Sequence, residues 1–270
     1  MKLAISNIAW DLTEDSRIAS LLSDVGAGGV EIAPTKVWPS LSNVSPEVSN
    51  TYRNFWEAQN LPIIAFQSLL FGRADLEIFK SEQKRQETFQ YLCHVIRLAA
   101  QLKAKILVFG SPKNRLVGQL NQPEAMDVAI QFFSAIAEVA MKVGVIFCIE
   151  PNPSQYGCDF VRTAAEGKEL VQRVNHPGFR LHLDAGAMIL NNEQFEAAIE
   201  SSFEWLAHFH ISEPYLEVIG NYTDAHNRIA RTLREFKYSH FVSIEMLNKS
   251  DAPNLAAVQS ALNFAANVYG

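Results

Sequence analysis

Cysteine is scarce in this sequence: Cys93, Cys148 and Cys158 are the three among 270 residues, an odd number without CxxC spacing. That excludes a disulfide framework and a thiolate metal knuckle, and reduced thiols in the cell interior are the expectation. Positive charge is also short, with 23 Lys and Arg against 29 Asp and Glu and a formal net charge of −6. A nucleic-acid backbone is therefore not the expected partner, because that role calls for a basic face. No apolar run approaches the ~20 residues of a membrane span, and the opening MKLAISNIAWDL reaches Asn7 and Asp11 too early for a signal peptide. A cytoplasmic setting without membrane attachment is expected. Gly26, Gly28 and Gly29 and the Ser-, Pro- and Asn-rich stretch 39–46 punctuate the chain, but no stretch reads as a linker or low-complexity segment. What is present is a chain 48% hydrophobic and 19% charged, enough to bury a sizeable core.

Its apolar runs are short, β-rich and evenly spread. LAISNIAW, GGVEIAP, LPIIAFQSLLFG and KILVFGSPKN read as four strands running out into loops, and VIFCIE, RLHLDA, LAHFHIS and HFVSIEM as four more. Amphipathic segments separate them, predicting helices over Thr13–Val25, Pro46–Gln59, Ser81–Leu102, Glu124–Val143, Thr163–Val174, Asn192–Phe203 and Asp224–Phe236, with a last over Asn254–Val268. Eight strands each followed by a helix predict one α/β domain over residues 1–270, a single (β/α)8 TIM barrel. Active sites in such barrels lie at the carboxyl ends of the strands.

Those ends carry the chemistry. Glu150, Asp184, His210 and Glu245 close the last four apolar runs at spacings of about 34, 26 and 35 residues, close to one strand-plus-helix unit of roughly 30 residues. Side chains two apart on a strand share a face, so Cys148, His182, His208 and Ser243 lie on the ligands' face, with His182 and His208 set to orient the carboxylates from behind. Three carboxylates and an imidazole make a hard, oxygen-rich set. One divalent cation, Mn²⁺, Mg²⁺ or Co²⁺ before a still compatible Zn²⁺, is the simplest reason for them to converge without repelling. Such a cation bridging a carbonyl and the neighbouring hydroxyl acidifies the C–H between them, and Glu150 and Glu245 are the expected proton-transfer pair. Glu31 and Gln67 end the second and third strands, and Lys113 and Arg115 offer charge from the loop after the fourth.

Strand 5 ending in Glu150, strand 6 in Asp184, strand 7 carrying His210-x-Ser212-Glu213 and strand 8 ending in Glu245 resemble the xylose isomerase-like TIM barrels, in the sugar and sugar-phosphate isomerase/epimerase branch. The resemblance covers essentially the whole chain. It implies metal binding at Glu150, Asp184, His210 and Glu245, with Glu150 and Glu245 exchanging protons through an enediolate, and a small sugar or sugar phosphate as substrate. Homo-oligomerisation is left open. Two positions depart from the ketose 3-epimerases of that branch: Ala187 stands where they carry histidine, and Tyr156 where they carry glutamate. Substrate contacts are therefore expected from Glu31, Gln67, Asn152, Glu213 and His226, the last placed at the start of a helix capped by Thr223 or Asp224, where an anion is favoured. A dehydratase of the 3-dehydroshikimate type needs the same metal and base and stays open. So does a non-catalytic sugar-binding barrel. An endonuclease IV-type nuclease calls for further strand-end histidines where Glu31 and Gln67 stand.

Overall fold

The computed structural model describes residues 1–248 and 254–270. Eight parallel strands close into a barrel in sequence order: β1 Lys2–Ser6, β2 Gly29–Ile32, β3 Ile63–Phe66, β4 Ile106–Phe109, β5 Ile146–Ile149, β6 Phe179–Asp184, β7 Leu206–Ser212 and β8 Phe241–Glu245. The expected (β/α)8 architecture is what the chain adopts. The first strand is shorter than LAISNIAW, because the backbone turns into a 3-10 helix at Asn7–Ala9, where Asn7 Oδ1 accepts the Ala33 N–H at 2.8 Å.

Helices cover the outside through large apolar side chains. The helix Gln122–Lys142 has Pro at its first turn and Asn121 accepting the Glu124 N–H, which together fix its start. It carries Phe133 onto the barrel wall, where the ring stacks on Phe179 at 4.9 Å and meets Phe109 at 5.7 Å. Burying each such ring contributes about 2–3 kcal/mol. A short helix absent from the sequence reading, Ala185–Leu190, starts directly off β6, with Asp184 as its N-cap. The following helix, expected over Asn192–Phe203, spans Phe195–Ser202.

Two register shifts re-aim the inward face. Between β6 and β7, Leu181 pairs with Leu206 but His182 with His208, so β7 holds one extra residue, and Asp184 comes to lie beside His210. A second shift, between β2 and β3, sets Glu31 opposite Ala65. Extra residues of this kind redirect side chains where pairing would otherwise send them to the opposite face.

Candidate metal centre and active site

Four side chains converge at the carboxyl end of the barrel. His210 Nδ1 lies 3.2 Å from Glu245 Oε2, 3.9 Å from Glu150 Oε1 and 4.0 Å from Asp184 Oδ2. Asp184 is fixed before any ligand arrives: Oδ1 accepts the Ala187 N–H at 2.6 Å as the helix cap, and Oδ2 accepts the Ser212 hydroxyl, which itself takes the Gly186 N–H at 2.9 Å. His210 sits inside β7 rather than at its end, and Glu150 follows directly after β5.

Behind this cluster lies a second polar layer. His210 Nε2–H donates to Glu31 Oε2 at 3.0 Å, and His208 Nε2 stands 3.4 Å from the other oxygen of Glu31. Burial works against ionising Glu31, yet the facing His210 and His208 outweigh it and hold its carboxyl well below the usual range. A partner on Nε2 leaves Nδ1 as the ring atom turned to the three carboxylates, the arrangement by which an outer carboxylate fixes a ligand histidine. Glu31 is therefore not a substrate contact but a completely buried support for His210. His182 packs edge-on against His210 at 4.1 Å, is held neutral by burial and by the neighbouring histidines, and has no hydrogen bond on either ring nitrogen. Ligand atoms of Glu150, His182, Asp184 and His210 all lie within 4.8 Å of one another, so His182 is a ligand candidate as well as a support.

The electrostatics suit a divalent cation. Burial, then Glu245 and Asp184, push the Glu150 carboxyl up to about 8. Burial, then Glu245, raise Asp184 to about 6. Buried acids that resist ionising one another are what a divalent ion stabilises. Oxygen donors with one or two imidazoles suit Mn²⁺, Mg²⁺, Co²⁺ or Zn²⁺.

Above the cluster opens a cleft of about 360 Å³, lined by Glu150, Asp184 and Glu245 and by Gln67 and Asn152 among the expected substrate residues. Gln67 is partly committed, its amide donating to Ser6 Oγ at 2.8 Å. Tyr156 and Tyr215 form one side of the mouth, their rings 5.7 Å apart and the Tyr156 hydroxyl accepting the Tyr215 N–H at 2.9 Å.

Three expected contacts are directed elsewhere. His226 is completely buried, shares a 2.7 Å hydrogen bond with the Tyr269 hydroxyl, and is pushed down to about 4 by burial, so its ring is neutral and holds no anion by charge. Its helix begins at Thr223 without a side-chain cap from Thr223 or Asp224. Glu213 is equally buried and accepts the N–H groups of Gly220 and Asn221 at 2.6 Å and of Tyr222 at 3.1 Å, fastening the loop that carries Tyr215. Arg115, expected to meet a ligand, is buried with its guanidinium on the carbonyls of Phe109, Glu150 and Val161.

Gly110, directly after β4, also shapes the site: an added Cβ there would stand 2.1 Å from Glu150 Oε2. No periodicity announces such a residue, although a glycine between an apolar strand and SPKN marks a close approach.

A family model described as xylose isomerase-like TIM barrel matches residues 19–268. The chain belongs to this family. Within it, a D-psicose 3-epimerase of Agrobacterium fabrum is 28% identical over 121 residues, 45% of this chain and 42% of that protein. Another, from Ruminiclostridium cellulolyticum, is 26% identical over 117 residues, 43% of this chain and 40% of the relative. The matched stretch thus spans under half of each curated relative. In three dimensions the agreement is complete in extent: the D-psicose 3-epimerase of Clostridium cellulolyticum H10, solved with D-tagatose, superposes with a TM-score of 0.83 over 100% of this chain and 99% of that one, at 17% identity. No helix among the described residues is long and apolar enough to cross a membrane.

Proposed function

We propose that this chain is a divalent-metal-dependent sugar isomerase or epimerase that moves a proton at the carbon next to a carbonyl. The observation that carries the reading is the pair Glu150 and Glu245: both line the cleft, both face His210 Nδ1, and they come from strands three apart around the closed barrel. Glu150, Asp184, His210 and Glu245 would hold the ion, with His182 near enough to join them. A divalent ion held there would supply electrophilic polarisation that acidifies a C–H beside a carbonyl. The chain's own groups do the rest. One glutamate removes the proton and the other returns one, while Ser212 and the Ala187 N–H hold Asp184 still and Glu31 holds the His210 ring. Gln67 and Asn152 are placed to meet sugar hydroxyls from the wall. The named relatives, D-psicose 3-epimerases, support a ketose-like substrate. Ala187 and Tyr156 argue that its contacts differ from theirs.

The test is solvent exchange. Metal-loaded protein incubated with a panel of ketoses and keto acids in D₂O should replace the C–H beside the carbonyl of a ketose with deuterium, followed by NMR, and accumulate the isomer. Loss of water from a keto acid in place of exchange would transfer the reading to a dehydratase. Silence across the panel, with sugar still bound, would leave a binding barrel.

A further inference from the structure

The cleft does not end at its own wall. Ser68, Ser111 and Pro112 line both the cleft and a groove of about 470 Å³, so the two spaces adjoin across these three residues. At that threshold Ser68 (φ 52°) and Ser111 (φ 42°) both take the left-handed backbone conformation, costly for a residue with a side chain and concentrated at functional sites. Beyond it the groove presents Phe71, 74% exposed, the most exposed large apolar side chain among the described residues. Lys113 lies on the same groove and has no hydrogen bond or ion pair among the described residues. Arg73, the other cation there, is already bound: two guanidinium nitrogens meet Asp75 at 2.9 and 2.8 Å, and the group lies 4.5 Å over the Tyr91 ring.

We infer that the substrate carries a second sugar ring beside the reacting one, and that this ring sits in the groove on Phe71, within reach of Lys113. The inference rests on the sugar isomerase/epimerase reading and adds its substrate class, a keto-disaccharide or keto-glycoside. An aromatic face held out in water suits the C–H face of a pyranose, and one free ammonium suits its hydroxyls. A phosphate would call for several convergent donors, whereas Arg73 is neutralised by Asp75 and Phe71 gives an anion nothing. The groove's place beside the reacting cleft, across Ser68, Ser111 and Pro112, favours another part of one ligand over a second copy of the chain, whose footprint would be broad and flat.

The experiment compares D-fructose with two keto-disaccharides, lactulose and isomaltulose, on the metal-loaded full chain, reading deuterium exchange and, by calorimetry, binding. One disaccharide at least should exceed fructose about tenfold in kcat/KM and in affinity, the scale of one aromatic contact plus its hydrogen bonds. Phe71→Ala should bring that ratio to about one, and Phe71→Tyr should keep it. Phe71 is exposed, so the fold tolerates both changes. If fructose exchanges but no disaccharide is preferred, the groove assignment is wrong and the epimerase reading stands. If no sugar exchanges, the epimerase reading has failed and the groove is judged on binding alone, where equal lactulose affinity in wild type and Phe71→Ala overturns it. Dissociation of an oligomer by Phe71→Ala in sedimentation velocity would also overturn it, by showing a second copy on this face.

Discussion

Gly110→Ala isolates the position of Glu150 from its chemistry. A Cβ at residue 110 would stand 2.1 Å from Glu150 Oε2, and ordinary contact begins near 3.4 Å, so the carboxylate oxygen must retreat by about 1.3 Å. The obstacle is the far end of a side chain, not backbone, and Gly110 has no positive φ that would strain alanine. The fold therefore absorbs the change, and loss of a glycine's freedom in the unfolded chain stabilises by ~0.4–1 kcal/mol. Catalysis does not absorb it. A displacement of about 1 Å in a reacting group costs on the order of 10²-fold, or about 2.7 kcal/mol of barrier. The assay is deuterium exchange into a ketose accepted by the wild-type protein, beside a thermal melt of both proteins. The expected result is exchange slowed by about two orders of magnitude with Tm unchanged or slightly higher. Wild-type exchange in a correctly folded Gly110→Ala protein would refute the placement of Glu150 as a proton carrier.

Two further outcomes follow from the same cluster. Asp184→Ala should abolish both metal content, read by elemental analysis, and exchange, whereas Glu150→Gln and Glu245→Gln should keep measurable metal and lose roughly 10²-fold or more in turnover; retention of full metal by Asp184→Ala would remove it from the ligand set. For metal-free protein, Glu150 and Asp184 have folded-state values of about 8 and about 6, above their ordinary 4.5 and 3.8, so they bind protons more tightly when folded, and the stability this gives at low pH is lost as pH rises toward 8. His210 is also raised, since Glu31 and Glu245 outweigh a burial that alone would lower it, so its contribution too is present at low pH and lost on raising pH. Below about pH 6.5 the buried neutral His182, His208 and His226, all lowered chiefly by burial, act in the opposite sense, so the test lies above it. A loss on the order of a few kcal/mol between pH 7 and pH 8.5 should lower the Tm of EDTA-treated protein by ~5 °C or more, and added Mn²⁺ should reverse it; a flat or rising Tm over that window without metal would contradict the electrostatic account.

Most of the barrel was legible because its two periods are strong. Runs such as VIFCIE and HFVSIEM alternate and stop at a carboxylate, and the amphipathic segments between them have lengths that only strand-helix repeats explain. The helix Ala185–Leu190 escaped because AGAMIL is too short for a helical period. Its one local signal is Asp184 itself, an N-cap type of residue followed by small helix formers.

The site was legible where a residue acts at the end of a strand and illegible where its role depends on register. In the sequence Glu31 closes an apolar run before a proline much as Glu150 does, and no local pattern tells how deep either lies. What separates them is depth: Glu31 is reached by His210 Nε2 and His208, while Glu150 reaches the cleft. The extra residue in β7 decides this, since it brings His210 beside Asp184; continued from the Leu181–Leu206 pair without a shift, the pairing would place Phe209 there. Glu213 and His226 fail for the complementary reason. Each has polar chemistry and a position near the strand-carboxyl side, but Glu213 has loop N–H groups and His226 has Tyr269 close by. A buried polar group takes the nearest partner that offsets its desolvation. Side chains whose hydrogen bonds are met within the protein are set to hold the frame. Those whose remaining oxygens and ring nitrogen face one another at the cleft floor, Glu150, Asp184, Glu245 and His210, are the ones set to hold a divalent ion.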